Sequence, residues 1–218
     1  MLRQINLLGD HMKLSILSAG LILAGAMSAN AADLVVNEPV VVGDAGVIDA
    51  LYLQFLGGVA LPGAQDWVSD FDSGEWALDA GYAIAVTAGV VVVDGLSVEV
   101  DGFFTKRAFT DEDGSSSTSS LMANLKYSVD VNDTFALYGA AGVGFIHEAH
   151  ETGGSETGFN GAGYQLIAGV TADVTENIAV VAEYRYQNSF GPLVSEVYDD
   201  WTHQVPVHAL LMGAKIAF

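Results

Sequence analysis

His147-Glu148-Ala149-His150-Glu151 crowds side chains of metal-ligand type into five positions. The run lacks the i, i+4 histidines of a helical zinc motif. In an extended strand, residues i and i+3 point to opposite faces, so the run reads as loop decoration at a strand end. Asp111-Glu112-Asp113-Gly114 offers three consecutive carboxylates, a weak divalent-cation candidate without the other ligand positions of a calcium loop. Gln187-Asn188-Ser189 presents a hydroxyl, but a hydrolase would need a histidine placed to activate it, and His203 and His208 have no evident nucleophile partner. Gly139 to Phe145 is glycine-rich, yet it lies inside a strand pattern and not between a strand and a helix, which argues against a phosphate cradle. There is no cysteine, hence no thiolate site and no disulfide framework. The expectation is no catalytic residue, no metal centre and no cofactor.

Charge narrows the classes further. The formal net charge is -20 over 218 residues. Such a surface repels nucleic-acid phosphates, and no basic patch offsets it. Only five bases follow residue 31: Lys106, Arg107, Lys126, Arg185 and Lys215. Their positions are informative because the chain from residue 50 alternates apolar and polar residues, the signature of half-buried strands. In the stretch from Ile178, Ile178, Val180, Ala182, Tyr184 and Tyr186 share one phase, and Glu183, Arg185 and Gln187 the other. Leu121, Ala123, Leu125, Tyr127 and Val129 oppose Asn124, Lys126, Ser128 and Asp130, and Leu96, Val98, Val100 and Phe104 oppose Glu99, Asp101 and Arg107. At the end of the chain Leu210, Met212, Ala214, Ile216 and Phe218 oppose Lys215. Four of the five bases fall on the polar phase; Lys106 falls on the apolar phase near a strand end, where it can snorkel.

Eight such strands are expected, each about ten residues or longer, the length a membrane-crossing strand needs. Short turns at Asp94-Gly95, Asn132-Asp133 and Thr175-Glu176-Asn177 alternate with long connections at roughly 62–74, 109–118, 148–161 and 190–203. This asymmetry is that of an all-β, eight-stranded, antiparallel up-and-down transmembrane barrel. A soluble barrel would turn its apolar face inward; charges on the opposite phase favour the inverted arrangement. The lumen of eight strands is just wide enough for side chains to fill it, and buried charges must pair. A lumen charge network of Asp79, Glu99, Asp101, Arg107, Lys126, Glu183, Arg185 and Lys215 is therefore expected, with Asp79, Glu99 and Glu183 as the leading partners of the bases. The long connections hold many acids, among them Asp111, Glu112, Asp113, Glu148 and Glu151, and no base, together with Trp67, Phe71, Phe159, Tyr198 and Trp201. They are read as an acidic surface able to attract divalent cations.

Residues 1–31 read as a signal peptide: Lys13, an apolar run from Leu14 to Met27, and small residues Ala29-Asn30-Ala31 before the cleavage point. Fourteen apolar residues are too few for a spanning helix, which needs about 17–25. Met12 is the expected start. Residues 32–49 read as a periplasmic lead-in and 50–218 as the barrel.

With these pieces in order, the chain resembles the small outer-membrane β-barrel family: opacity-type surface proteins, the barrel of outer membrane protein A, and porin-family barrels of α-proteobacteria. The resemblance is carried by Leu51–Ala60, Leu137–Phe145, Val181–Gly191 and His208–Phe218. It implies an outer-membrane location in a Gram-negative bacterium, surrounded by lipid and lipopolysaccharide. It also implies insertion by the outer-membrane assembly machinery, with Gly213, Ile216 and terminal Phe218 as the assembly signal, although Leu211 stands where the family's signal is usually polar. A monomer with a structural or surface-interaction role is expected, with a narrow ion channel or a loop-borne adhesin as alternatives.

Overall fold

The computed structural model describes residues 50–68, 73–111, 113–195, 202–204 and 206–218. The expected signal peptide and lead-in lie outside them, as do Glu112, Phe71, Tyr198 and Trp201. Among the described residues twelve strands form one sheet: β1 (Ala50–Ala60), β2 (Gly63–Val68), β3 (Ser73–Leu78), β4 (Gly81–Val93), β5 (Leu96–Ala108), β6 (Gly114–Asp130), β7 (Phe135–Thr152), β8 (Ser155–Asp173), β9 (Ile178–Ser189), β10 (Leu193–Ser195), β11 (Thr202–His203) and β12 (Val207–Ala217). The eight longer strands β1, β4 to β9 and β12 pair antiparallel with their neighbours in sequence. The barrel closes where β12 meets β1, in register from Tyr52↔Ala217 to Ala60↔Ala209. The Phe218 amide donates to the Leu51 carbonyl at 2.9 Å and the Leu61 amide to the His208 carbonyl at 2.7 Å, so the seam is bonded at both ends.

The alternation read from the sequence is the alternation of the wall. Outside lie Leu51, Phe55, Ile84, Val86, Val98, Leu121, Leu137, Val180, Leu210 and Met212, all largely exposed. Phe145 is 75% exposed, a placement that water would penalise and hydrocarbon favours. Inside lie Gln54, Thr87, Glu99, Asp101, Asn124, Lys126, Gln165, Glu183 and Arg185, all buried.

The long connections depart from expectation. Much of what reads as loop is sheet. Gly153 and Gly154, with φ of 59° and 81°, form the two-residue turn that Gly-Gly permits, and β7 and β8 run up to it as strands of 18 and 19 residues. That is well beyond the 9–11 residues that cross a bilayer. Beside them, β10 pairs with β8, β11 with β10, β2 with β11 and β3 with β2. A bridge from Leu78 to Phe109 links β3 to the end of β5. The short strands thus continue the cylinder beyond the end of β9, β12, β1 and β4.

Two inward tyrosines set how the wall packs. Tyr52 faces Gly89 and Tyr138 faces Gly169 across their strand pairs. A Cβ on either glycine would collide with the facing phenol ring, so the missing side chains let the rings lie against the wall. Gly89→Leu is expected to displace Tyr52 and destabilise the barrel by about 1–3 kcal/mol, the usual cost of overpacking. The check is a lower urea midpoint in refolding, measured against Gly57→Leu, where a new Cβ meets open space.

Candidate functional site

The chemistry-bearing side chains converge inside the barrel because period-two strands put every second residue there. The centre is Arg185 on β9. Its Nη1 donates to Asp101 Oδ1 at 2.6 Å and its Nη2 to Asp101 Oδ2 at 3.1 Å, a forked contact across the lumen to β5. Nη2 also donates to Glu183 Oε1 at 2.8 Å and Nε to the same oxygen at 3.2 Å. The guanidinium lies 4.7 Å from the centre of the Phe103 ring. One planar fork thus serves two carboxylates and stacks on an aromatic, a combination a lysine could not reproduce.

The carboxylates are held in turn. Asp101 accepts from Thr87 Oγ1 at 2.6 Å and Gln165 Nε2 at 3.2 Å. Glu183 accepts from the Tyr138 hydroxyl at 2.7 Å and Gln54 Nε2 at 3.3 Å. Gln165 Nε2 also donates to Asn124 Oδ1 at 2.7 Å. Asn124 connects to the next layer, where its Nδ2 donates to Glu99 at 3.3 Å. There Lys126 Nζ lies 2.5 Å from Glu99 Oε1, the Tyr52 hydroxyl donates to the same oxygen at 2.6 Å, and Nζ sits 4.4 Å and 5.1 Å from the centres of the Tyr52 and Tyr138 rings. The two layers therefore share one network built from β1, β4, β5, β6, β7, β8 and β9.

Other expected members are elsewhere. Asp79 is exposed in the connection between β3 and β4, where its Oδ1 accepts from Thr110 Oγ1 at 3.0 Å. The phase puts it inside only if one strand runs from Glu75 to Val86, and the strand breaks at Asp79-Ala80. Lys215 reaches the lumen but meets no carboxylate at ion-pair distance among the described residues. It is half-buried in a hollow of about 400 Å³ at the mouth nearest the short turns, with Nζ 5.8 Å from the centre of the Tyr52 ring. Asp130 lines the same hollow, and Glu99 is already taken by Lys126. Arg107 is buried further out, its Nε and Nη2 without hydrogen-bond partners among the described residues. Lys106, on the outer phase, pairs with Glu151 at 2.8 Å.

The run from His147 to Glu151 is not loop decoration. It belongs to β7, and Glu148 and His150 point into the cylinder while His147 points out. Glu148 is 0% exposed; it accepts from Gln65 Nε2 at 2.6 Å and from the Ser116 hydroxyl, and lies 3.3 Å from His150 Nε2. His150 packs against Trp76, Phe109 and Phe159 at centroid distances of 4.8, 5.4 and 5.2 Å, and Trp76 stacks on Trp67 at 5.6 Å. The sequence does not reveal this outer polar-aromatic chamber, because the acid content of its segments reads as hydrated loop. The continuing period-two spacing of Glu148 and His150 was the available signal. Asp111 and Asp113 are exposed, and no cluster of three or more metal-ligating residues occurs among the described residues. Ser189 Oγ is buried without a hydrogen-bond partner among them, so no base addresses it there.

Of the assembly-signal residues, Gly213 faces Leu56 across the seam, where a Cβ would collide with the Phe55 carbonyl oxygen. Ile216 pairs with Leu53, and the Phe218 side chain is exposed.

A family described as the outer membrane protein beta-barrel domain matches residues 19–211. The chain belongs to this family. It is a barrel of the Gram-negative outer membrane, and the exposed apolar wall is its lipid-facing surface. No curated protein matches it. Among solved structures it is similar to Neisserial surface protein A, at 20% identity over 77% of this chain and 97% of that one, with a TM-score of 0.53. It also aligns with Ail, the attachment invasion locus protein of Yersinia pestis, at 18% identity over 77% and 98% with a TM-score of 0.44. The N-terminal β-barrel domain of Pseudomonas aeruginosa OprF aligns at 14% identity over 77% and 97%, with a TM-score of 0.44. The likeness to the Neisserial protein is one of fold.

Arg185→Leu should destabilise the barrel by about 3–5 kcal/mol, because it strands Asp101 and Glu183 as buried charges. Adding Asp101→Asn and Glu183→Gln should recover much of that loss. Lys215→Met should shift the urea midpoint far less than Arg185→Leu. Unfolding titrations of all variants in one lipid check this order.

Proposed function

We propose that this protein is a non-catalytic outer-membrane scaffold, plugged by its own lumen network, whose outward-projecting sheet is its surface for interaction. The observation carrying this reading is the Arg185–Asp101–Glu183 cluster tied through Asn124 to Lys126–Glu99. A steady pore needs a continuous wet path; here side chains from opposite walls hydrogen-bond to one another across the middle. Opening that path would separate buried charges from their partners, a loss of several kcal/mol for each.

The surface role rests on the sheet formed by β2, β3, β10, β11 and the ends of β5 to β8. Asp66, Glu75, Asp111, Asp113, Glu151 and Glu156 are exposed there, a field that favours divalent cations and, through them, phosphate-bearing lipid neighbours. The reading includes cleavage after Ala31 and function as a monomer. It also assigns Gly213, Ile216 and Phe218 to recognition by the assembly machinery.

Two measurements test this. In planar bilayers the refolded protein should show no steady conductance, and Arg185→Ala should introduce flickering openings. A steady open level in the unaltered protein, lost in Arg185→Ala, would overturn the plug. Deleting Phe218 should lower the amount inserted in outer membranes in cells while leaving refolding into detergent intact; equal insertion would remove its assembly role.

A further inference from the structure

The lipid-facing wall is not evenly bulky. Two rows of directly paired residues cross it. One runs Val98, Leu125, Ala141, Leu166, Tyr186, His208, and the next runs Val100, Ala123, Val143, Tyr164, Asn188. Strands in such barrels tilt by about 35–45°, so each row climbs from the side of the Asp94-Gly95 turn towards the side of the long connections. Each is apolar at its lower end and polar at its upper end, and each drops to an alanine between bulkier neighbours. A groove of about 520 Å³ lies there, lined by Ala123, Ala141, Gly142, Leu166, Tyr164 and Phe190 among others.

The upper end is a connected set of polar aromatic groups. The Tyr164 ring is 5.3 Å from Phe190 and 6.0 Å from Tyr186, and Tyr186 is 4.8 Å from His208. Asn188 Nδ2 donates to the Tyr186 hydroxyl at 3.2 Å. The Tyr184 hydroxyl lies 2.5 Å from His208 Nδ1. With that phenol donating, a neutral imidazole carries its proton on Nε2, a donor for an anionic oxygen.

We propose that this surface holds one lipopolysaccharide molecule. An acyl chain lies in the groove over Ala123 and Ala141, and the phosphorylated sugar head meets Tyr164, Tyr186, Asn188 and His208. Lipid tails are as apolar as the wall, so apolarity alone retains nothing. Retention comes from shape, which adds dispersion contacts along the hollow, and from hydrogen bonds and ring faces at the head. The head lies on the side of the long connections, in the outer leaflet, and rings interleaved with an amide and an imidazole suit a phosphorylated sugar. The site is on the outer wall and stands independently of whether the lumen is plugged.

The test titrates the full chain, refolded in detergent, with hexa-acylated lipid A and separately with phosphatidylethanolamine, followed by native mass spectrometry. A one-to-one lipid A adduct is expected, favoured over the phospholipid about tenfold, or 1.4 kcal/mol. Ala141→Phe and Ala123→Phe, which fill the hollow from the lipid side, should each lower that adduct about tenfold, and His208→Ala should lower it too. Leu137→Phe, outside both rows, should leave it unchanged. Heat-shifted gel mobility confirms that each variant has folded. Equal adducts with both lipids, or filled variants that bind like the original, would overturn the site.

Discussion

In hydrocarbon an unpaired peptide N–H or carbonyl costs several kcal/mol, so the seam between β1 and β12 is the interaction on which everything else rests. Without it, two strand edges would face lipid. With it, the wall has no edge, and the lumen has a fixed width. Tyr52 and Tyr138 lie against Gly89 and Gly169, and Arg185 on one side reaches Asp101 on the other with a forked contact. Closure of the backbone and pairing of the lumen charges are one arrangement seen from two sides.

That width also explains which charges pair. Arg185 takes two acids and Lys126 takes one, with tyrosine, glutamine, asparagine and threonine donors covering the remaining oxygens. Lys215 is nearer the mouth, where the lumen opens into the hollow it shares with Asp94 and Asp130. A charge at the rim retains much of its solvation and needs no partner; one at the centre does not have that option.

The barrel itself was legible because period two is long-ranged and repeats in every strand, and the polar phase carries Glu99, Asp101, Lys126, Glu183 and Arg185, all of them buried. Phase failed for Asp79, because the inward parity changes across the break at Asp79-Ala80: β3 buries the even Leu78 and β4 the odd Ala83, Ala85 and Thr87. It also failed for Glu148 and His150. There the charge content of the segment reads as solvation, while Gln65, Ser116 and the aromatic wall that enclose them come from distant parts of the chain. Pairing partners separated by dozens of residues, such as Arg185 with Asp101, leave no mark in the local pattern.

The short strands beyond β9 and β12 alter what the outer connections are. Because β2, β3, β10 and β11 complete the cylinder above β1, β4, β9 and β12, these segments are staves of the wall. Exchanging one for the corresponding segment of a relative would remove a stave together with its bonds to both neighbours. The Gly153-Gly154 turn is different: nothing packs where a Cβ would project from either glycine. Foreign sequence inserted there would extend a hairpin that already stands clear. Variation between relatives should therefore collect at this tip, while the segments around Trp67, Trp76 and Leu193 drift together or not at all.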